Sequence, residues 1–172
     1  PFSHPNLHIW RDDVGRKVGA ETLHKKTNFN ICGINDDIWE NNKTKELHIV
    51  DYKSTSTNGE VSLDGEYKDG YKRQIEVYQW IFRQMGFKIS DVGYFVYANG
   101  IKDFGKKFDG KLEFKTSILS YKGNDSWVEP AILKIKAVLD SNETPHANQG
   151  CKYCGYRRLI SEENLKTQAN LV

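Results

Sequence analysis

The chain has 172 residues, a formal net charge of +2, 38% hydrophobic and 28% charged residues, and three cysteines. That length builds one domain with its own core and leaves little room for a second, and the apolar-to-charged balance excludes a disordered chain. No apolar run approaches the ~20 residues of a membrane helix, and an odd cysteine count argues against a disulfide framework.

A reducing, cytoplasmic setting fits, since no signal peptide precedes the first strand-like segment. The chain opens on Pro1 rather than Met, so part of the N-terminus is expected to be absent. The net charge does not by itself mark a nucleic-acid binder. The basic residues are unevenly spread, however. Lys102, Lys106, Lys107, Lys111, Lys115, Lys134, Lys136, Lys152, Arg157 and Arg158 crowd the second half, and local patches matter more than the total.

In chain order, residues 18–30 alternate loosely and predict one or two strands. "FNICGINDDIW" (29–39) alternates with period two, with Ile31, Gly33 and Asn35 on one side and Cys32, Ile34, Asp36 and Ile38 on the other. After a polar turn, "ELHIVDYKST" (46–55) predicts the second strand of an antiparallel hairpin. Residues 56–70 form a long polar loop with three glycines, and long loops in compact domains are often functional. Tyr71, Ile75, Tyr78, Phe82 and Met85 recur at three- and four-residue steps and predict a helix over 71–85, stopped by Gly86. "VGYFVYA" (92–98) reads as a strand covered on both faces. Strand, helix and buried strand make a crossover unit, so 46–54 and 92–98 should be parallel. Residues 111–121 predict another strand. Ser126 and Glu129 form a capping box that opens a helix to about Leu139, with Pro130 in its first turn and an Ile132, Ile135, Leu139 stripe as core. Beyond residue 145 the sequence predicts loop with a short helical end. The whole is one α/β domain over 1–172, a mixed central sheet flanked by helices, with a cysteine-containing tail from 145 to 172.

The chemistry gathers where the second strand ends. In Asp51-Tyr52-Lys53 the strand period puts Asp51 and Lys53 on one face and Tyr52 on the other. A lone D-x-K is usually a solvated ion pair. Here the hairpin brings Asp36 beside Asp51, and two neighbouring carboxylates repel unless something positive sits between them. A divalent cation does that through oxygen ligands. Gln74 and Tyr78, one helical turn apart, can be aimed at the same strand end. Two acids and a lysine suit phosphodiester hydrolysis: a metal polarises the phosphoryl oxygen and activates water, while the lysine orients that water or offsets transition-state charge.

Gly33 and Asp36 as G-x-x-D, Asp51 and Lys53 as D-x-K after an apolar strand, and Gln74 and Tyr78 as Q-x-x-x-Y together resemble the PD-(D/E)XK nuclease superfamily. Within it the pattern is most similar to the RecB-like and Cas4-like exonuclease branch. The resemblance implies a restriction-endonuclease-like core, Mg²⁺ or Mn²⁺ as cofactor and DNA, single-stranded or at ends, as partner. It implies Asp36, Asp51 and the backbone carbonyl of Tyr52 as metal ligands, and Lys53 as the catalytic lysine. Gln74 and Tyr78 would line the site and touch the nucleic acid. Branch members usually carry an upstream histidine; His4, His8 and His24 are available, and none sits in a matching motif, so that residue could also precede Pro1. For the upstream glutamate, Glu21 is the candidate, against a plain solvated strand residue. Asp37 neighbours Asp36, but the Gly33 spacing and strand phase favour Asp36.

Cys151 and Cys154 resemble the tail of branch members that hold an iron–sulfur cluster with four cysteines. This chain offers only those two and Cys32, which reads as a small buried hydrophobe of the first strand, so a cluster is not expected. Zinc with His146 is a weaker alternative. Tyr153, Tyr156, Arg157 and Arg158 mix rings and guanidinium groups, which suits single-stranded nucleic acid or an ordinary exposed turn. Trp80 reads as packed. The sequence thus points to a metal-dependent deoxyribonuclease, exonuclease-like, in recombination, repair or mobile-element processing. The alternative is a catalytically inactive nucleic-acid-binding module on the same fold; a small zinc-containing interaction domain would need a further ligand.

Overall fold

The structure, a computed structural model, describes residues 2–11, 19–65, 67–102, 107 and 109–169, and of residues 165–169 the backbone alone. Val18 and Lys106 lie outside the described residues. The chain divides into two compact units, Pro1–Leu133 and Lys134–Val172.

The first unit opens with a short helix, α1 (Leu7–Arg11), then a two-stranded antiparallel ribbon of β1 (Ala20–His24) and β2 (Phe29–Gly33). β3 (Asp37–Glu40) and β4 (Leu47–Thr55) form a second hairpin, in register from Asp37↔Val50 to Glu40↔Leu47. Its turn is closed by Asn41, whose side chain accepts the amides of Lys43 and Thr44, as Asx turns do. Helix α2 (Lys68–Gln84) crosses over to β5 (Val92–Gly100), which pairs parallel to β4 from Val50↔Tyr94 to Thr55↔Asn99. β6 (Phe114–Lys122) returns antiparallel to β5. The sheet order is β3-β4-β5-β6. This mixed sheet with flanking helices is the α/β, restriction-endonuclease-like arrangement expected, with the crossover in its expected parallel sense.

Helix α2 is amphipathic and lays Ile75, Tyr78, Ile81 and Phe82 onto the sheet, where Ile49, Phe95 and Tyr97 meet them. Trp80 is buried in the same core. Gly93 lets the helix close onto β5, since a Cβ there would fall 2.8 Å from Ile75. Glu76 is a buried hub that accepts from the Tyr121 hydroxyl, the Asn124 amide and the Trp127 indole. Such a carboxylate is tolerated because its oxygens are satisfied. Gly86 ends the helix with φ +90°, a conformation that favours glycine.

Several expectations are corrected. The 29–39 segment is not one strand. Among the described residues β2 pairs only with β1 and β3 only with β4, and residues 34–36 break between them. Asn35 fixes the break: it is fully buried, its amide donates to the Trp10 carbonyl and its Nδ2 to the Asp37 carbonyl. Cys32, expected in the core, is exposed, because the outer face of a free-standing ribbon meets solvent. Helix α2 starts at Lys68, three residues before Tyr71, and β6 starts at Phe114 rather than Lys111.

The Ser126–Glu129 capping box does not form. A 3-10 turn (Asp125–Trp127) capped by Asn124 precedes helix α3 (Val128–Asp140), and the Glu129 carboxylate is taken by His24 Nε2 at 3.1 Å and Lys26 at 2.8 Å. In α3 only Val128 and Ile132 are buried, while Ile135 and Leu139 are exposed. The tail is not mainly loop: α4 (Lys152–Ala169) is an 18-residue helix. No helix among the described residues is long and apolar enough to cross a membrane.

Candidate active site

The site lies where β4 outruns β3. The β3 pairing stops at Asp37↔Val50, so from Asp51 onward that edge of β4 carries unpaired backbone groups. Asp36, the last residue of the break, covers the first of them: its Oδ2 accepts the Tyr52 amide at 2.7 Å. A strand residue directs its N–H and C=O to the same side, so the Tyr52 carbonyl lies along the edge that Asp36 caps.

Asp51 itself is not surface-facing, as an isolated strand-end ion pair would be. It is 2% exposed. Its Oδ2 sits 2.5 Å from Lys53 Nζ, yet that oxygen makes no well-directed hydrogen bond. Burial pushes the Asp51 carboxyl above its ordinary range, Lys53 pulls it back, and the Asp36 charge pushes it up again, with a net rise. The strand period therefore does bring Asp51 and Lys53 together, and Asp36 is close enough for its charge to act on Asp51.

Asp37 is occupied differently. It accepts from Arg11, the Ile38 amide, the Trp39 indole and the Tyr52 hydroxyl. Burial pushes its carboxyl up, but these four donors outweigh burial and hold it below the usual range. A carboxylate saturated in this way braces β3 against α1 and β4, and leaves Asp36 as the acid with spare acceptor capacity.

Helix α2 supplies the facing wall. The Tyr78 hydroxyl donates to the Ile34 carbonyl at 2.6 Å, and Gln74 Nε2 reaches the Tyr78 oxygen at 3.4 Å. Burial raises the Tyr78 hydroxyl, Gln74 offsets it, and the charges of Asp36 and Asp51 raise it further. Gln74 and Tyr78 are thus brought to the same strand end. Gly33 makes this approach sterically feasible, because a Cβ there would lie 2.6 Å from Tyr78 Cε1. Gly33→Ala is therefore expected to cost about 1–3 kcal/mol as an overpacked site. Tyr78→Phe, which removes only the hydrogen bond, should cost about 1 kcal/mol. Thermal melts of the two variants check the ordering.

Three neighbours were not singled out in the sequence. Lys53 Nζ lies 4.7 Å from the centre of the Tyr71 ring, and Lys68 Nζ lies 5.5 Å from it on a second approach. Lys68 also donates to the Tyr97 hydroxyl at 2.9 Å. Tyr71 was read only as part of the apolar stripe. Lys68 was hidden because the helix was expected to begin after it. The spacing 68, 71, 75, 78 is the signal that extends the stripe.

The upstream candidates do not join this cluster. Glu21 accepts from Asn30 on the ribbon at 2.8 Å. His4 stacks on Trp10 with ring centres 4.4 Å apart and accepts the Asn6 amide, His8 is exposed, and His24 packs between Thr27 and Glu129.

In the second unit Cys151 and Cys154 are free thiols at the start of α4. The Cys154 amide donates to Cys151 Sγ at 3.4 Å and lowers its thiol, while Cys154 is raised by its neighbour's sulfur. Tyr153 and Tyr156 are exposed. Among the described residues no three His, Cys, Asp or Glu side chains are grouped to hold a metal, so His146 does not complete a zinc site with the cysteines. For a hard cation at β4 the donors would be the two carboxylates Asp36 and Asp51 and the Tyr52 carbonyl. The buried Asp51 carboxylate, with a second acid near enough for its charge to act on it, is an oxygen-rich corner that fits Mg²⁺ or Mn²⁺.

No curated protein and no solved structure matches the chain. A family model described as the PD-(D/E)XK nuclease superfamily matches residues 7–159, from α1 into α4 and across every residue of the cluster. With G-x-x-D at the sheet break, D-x-K at the β4 end and Q-x-x-x-Y on the facing helix, the chain belongs to the PD-(D/E)XK nuclease superfamily.

Proposed function

We propose that the chain is a divalent-metal-dependent deoxyribonuclease that hydrolyses phosphodiester bonds at the β4 end. Its motif set is nearest the RecB-like and Cas4-like branch, so the reading extends to exonuclease-like action on ends or single strands in recombination, repair or mobile-element processing. The observation that carries it is Asp51: a buried carboxylate with a second acid pressing on it and a lysine beside it.

Asp36, Asp51 and the Tyr52 carbonyl would hold the cation, which would supply Lewis-acid polarisation of the scissile phosphoryl group. The chain's own groups do the rest. Lys53, held between Asp51 and the Tyr71 ring, presents its ammonium to the attacking water or to the oxygens gaining charge. Tyr71 limits where that ammonium can swing. Gln74, on the site-facing side of α2, offers amide groups to the nucleic acid. Tyr78, tied to Ile34, fixes the distance between the helix and the Asp36 turn.

The test is incubation with end-labelled linear and circular DNA, single- and double-stranded, with Mg²⁺, Mn²⁺ or EDTA. Cleavage that requires the metal and favours linear substrate is expected. Binding without cleavage under every metal condition would overturn the nuclease reading in favour of a binding module.

A further inference from the structure

We propose that Lys68 is a substrate-binding residue that takes a backbone phosphate of the nucleic acid beside the one at Lys53; this rests on the β4 end being the nucleic-acid site. Three observations carry it. First, Lys68 pairs with no carboxylate among the described residues, unlike Lys72 one turn later, which lies 3.4 Å from Asp69. Its ammonium is instead held by neutral groups: the Tyr97 hydroxyl at 2.9 Å, the Tyr97 ring at 4.8 Å and the Tyr71 ring at 5.5 Å. Tyr97 is 1% exposed, so the hydroxyl that orients the lysine is fixed by the core. An ammonium positioned by neutral groups keeps its full charge for an incoming anion.

Second, Lys68 and Lys53 share one ring. Both lie within 5.5 Å of the centre of Tyr71. That places two ammonium groups around one side chain of the site wall, where successive phosphates of a polyanion could meet both. Third, Lys68 is the first residue of α2, where a cation opposes the helix dipole. Its place there does nothing for helix stability. A local rule broken in this way is often the mark of a functional position. Ile75 and Tyr78 are buried against the sheet, so the substrate path would run from the Asp36–Asp51 end past Lys53 and the Tyr71 ring to Lys68 at the helix start.

Binding is read without turnover, in EDTA, from the anisotropy of a fluorescein-labelled single-stranded DNA oligonucleotide across a salt series. Lys68→Gln is expected to weaken binding and to flatten the slope of log K against log salt by about 0.7, the loss of one phosphate contact on a single strand. Lys68→Arg should restore the slope. Lys45→Gln, one surface charge removed from the β3–β4 turn, should leave it at the wild-type value. Tyr97→Phe frees the ammonium but keeps its charge, so affinity should fall while the slope holds; this variant also serves if Lys68→Gln melts early. A Lys68→Gln slope equal to wild type, or one that Lys68→Arg does not restore, overturns the assignment. The nuclease reading is tested separately: a flattened Lys68→Gln slope with a wild type that never cleaves leaves Lys68 standing and removes the nuclease, while a wild type that cleaves with a Lys68→Gln slope equal to its own does the reverse.

Discussion

Asp51→Asn is expected to abolish metal-dependent cleavage and, in EDTA at neutral pH, to leave the protein as stable as wild type or more so. The loss of rate should be roughly a thousandfold or more, because the several kcal/mol a bound cation contributes convert at about 1.4 kcal/mol per factor of ten. The stability half follows from the sign of the Asp51 shift. Burial and Asp36 raise its carboxyl above the ordinary range despite Lys53. A carboxyl whose folded value lies above its unfolded value contributes stability that is full below the unfolded value and lost as pH rises through the folded one. Asparagine resembles the protonated acid at every pH. The variant should therefore match wild type in acid and hold its melting temperature better as pH rises to neutral. Divalent cation should reverse the ranking. Wild type should gain about 2.7 kcal/mol at a hundred times the dissociation constant, roughly 5–10 °C for a chain of this size, and Asp51→Asn should gain little. Differential scanning fluorimetry with and without Mg²⁺ or Mn²⁺ reads both. A variant that melts well below wild type in EDTA at neutral pH would show that the buried carboxylate holds the fold together rather than straining it.

That result would have been misjudged from the sequence, which places Asp51 on a strand end but cannot say how deeply the end is buried. The elements themselves were legible where one periodicity ruled. Helix α2, strands β4 and β5 and their parallel crossover followed from apolar spacing, because each buries one continuous face. The segment 29–39 misled for a physical reason. Its period-two pattern runs unbroken through Asn35, and only tertiary bonds from Asn35 to Trp10 and Asp37 split it into two sheets. Cys32 went with it: on a four-stranded sheet it would be core, and on a two-stranded ribbon it is surface. Glu129 looked like a capping residue because its capping spacing is local, whereas its partners His24 and Lys26 are about a hundred residues away. Ile135 and Leu139 carried a helix period correctly and a burial wrongly, since a stripe says which residues share a face and not what covers it. Asp36, Asp51, Lys53 and Tyr78 stand close enough for their charges to act on one another, and the lysine that approaches the same tyrosine ring was missed because helix boundaries are the least certain part of any pattern.

Lys53→Ala is expected to abolish cleavage as fully as Asp51→Asn, with the opposite effects on stability and on the metal. Lys53 is 19% exposed at its side chain and is the ammonium 2.5 Å from Asp51 Oδ2. Removing it leaves a buried carboxylate facing Asp36 with no cation beside it, and breaking one partner of a buried pair costs about 3–5 kcal/mol. In EDTA at neutral pH the variant should melt well below wild type. The loss should shrink in acid, where Asp51 is protonated and wants no partner. It should also disappear in the Asp51→Asn background, so the double variant resembles Asp51→Asn alone, a coupling that a double-mutant cycle reads directly. Divalent cation should rescue the fold of Lys53→Ala but not its activity, because a cation can stand in for the missing charge beside Asp51 and cannot do what the ammonium does for the substrate. Cation affinity, followed by titration calorimetry, should equal or exceed that of wild type. This pattern of stability restored by metal and cleavage not restored separates a catalytic lysine from a structural one. If metal restores neither, the Asp51–Lys53 pair is a strand-end ion pair; if cleavage survives without Lys53, the ammonium acts on nothing that reacts.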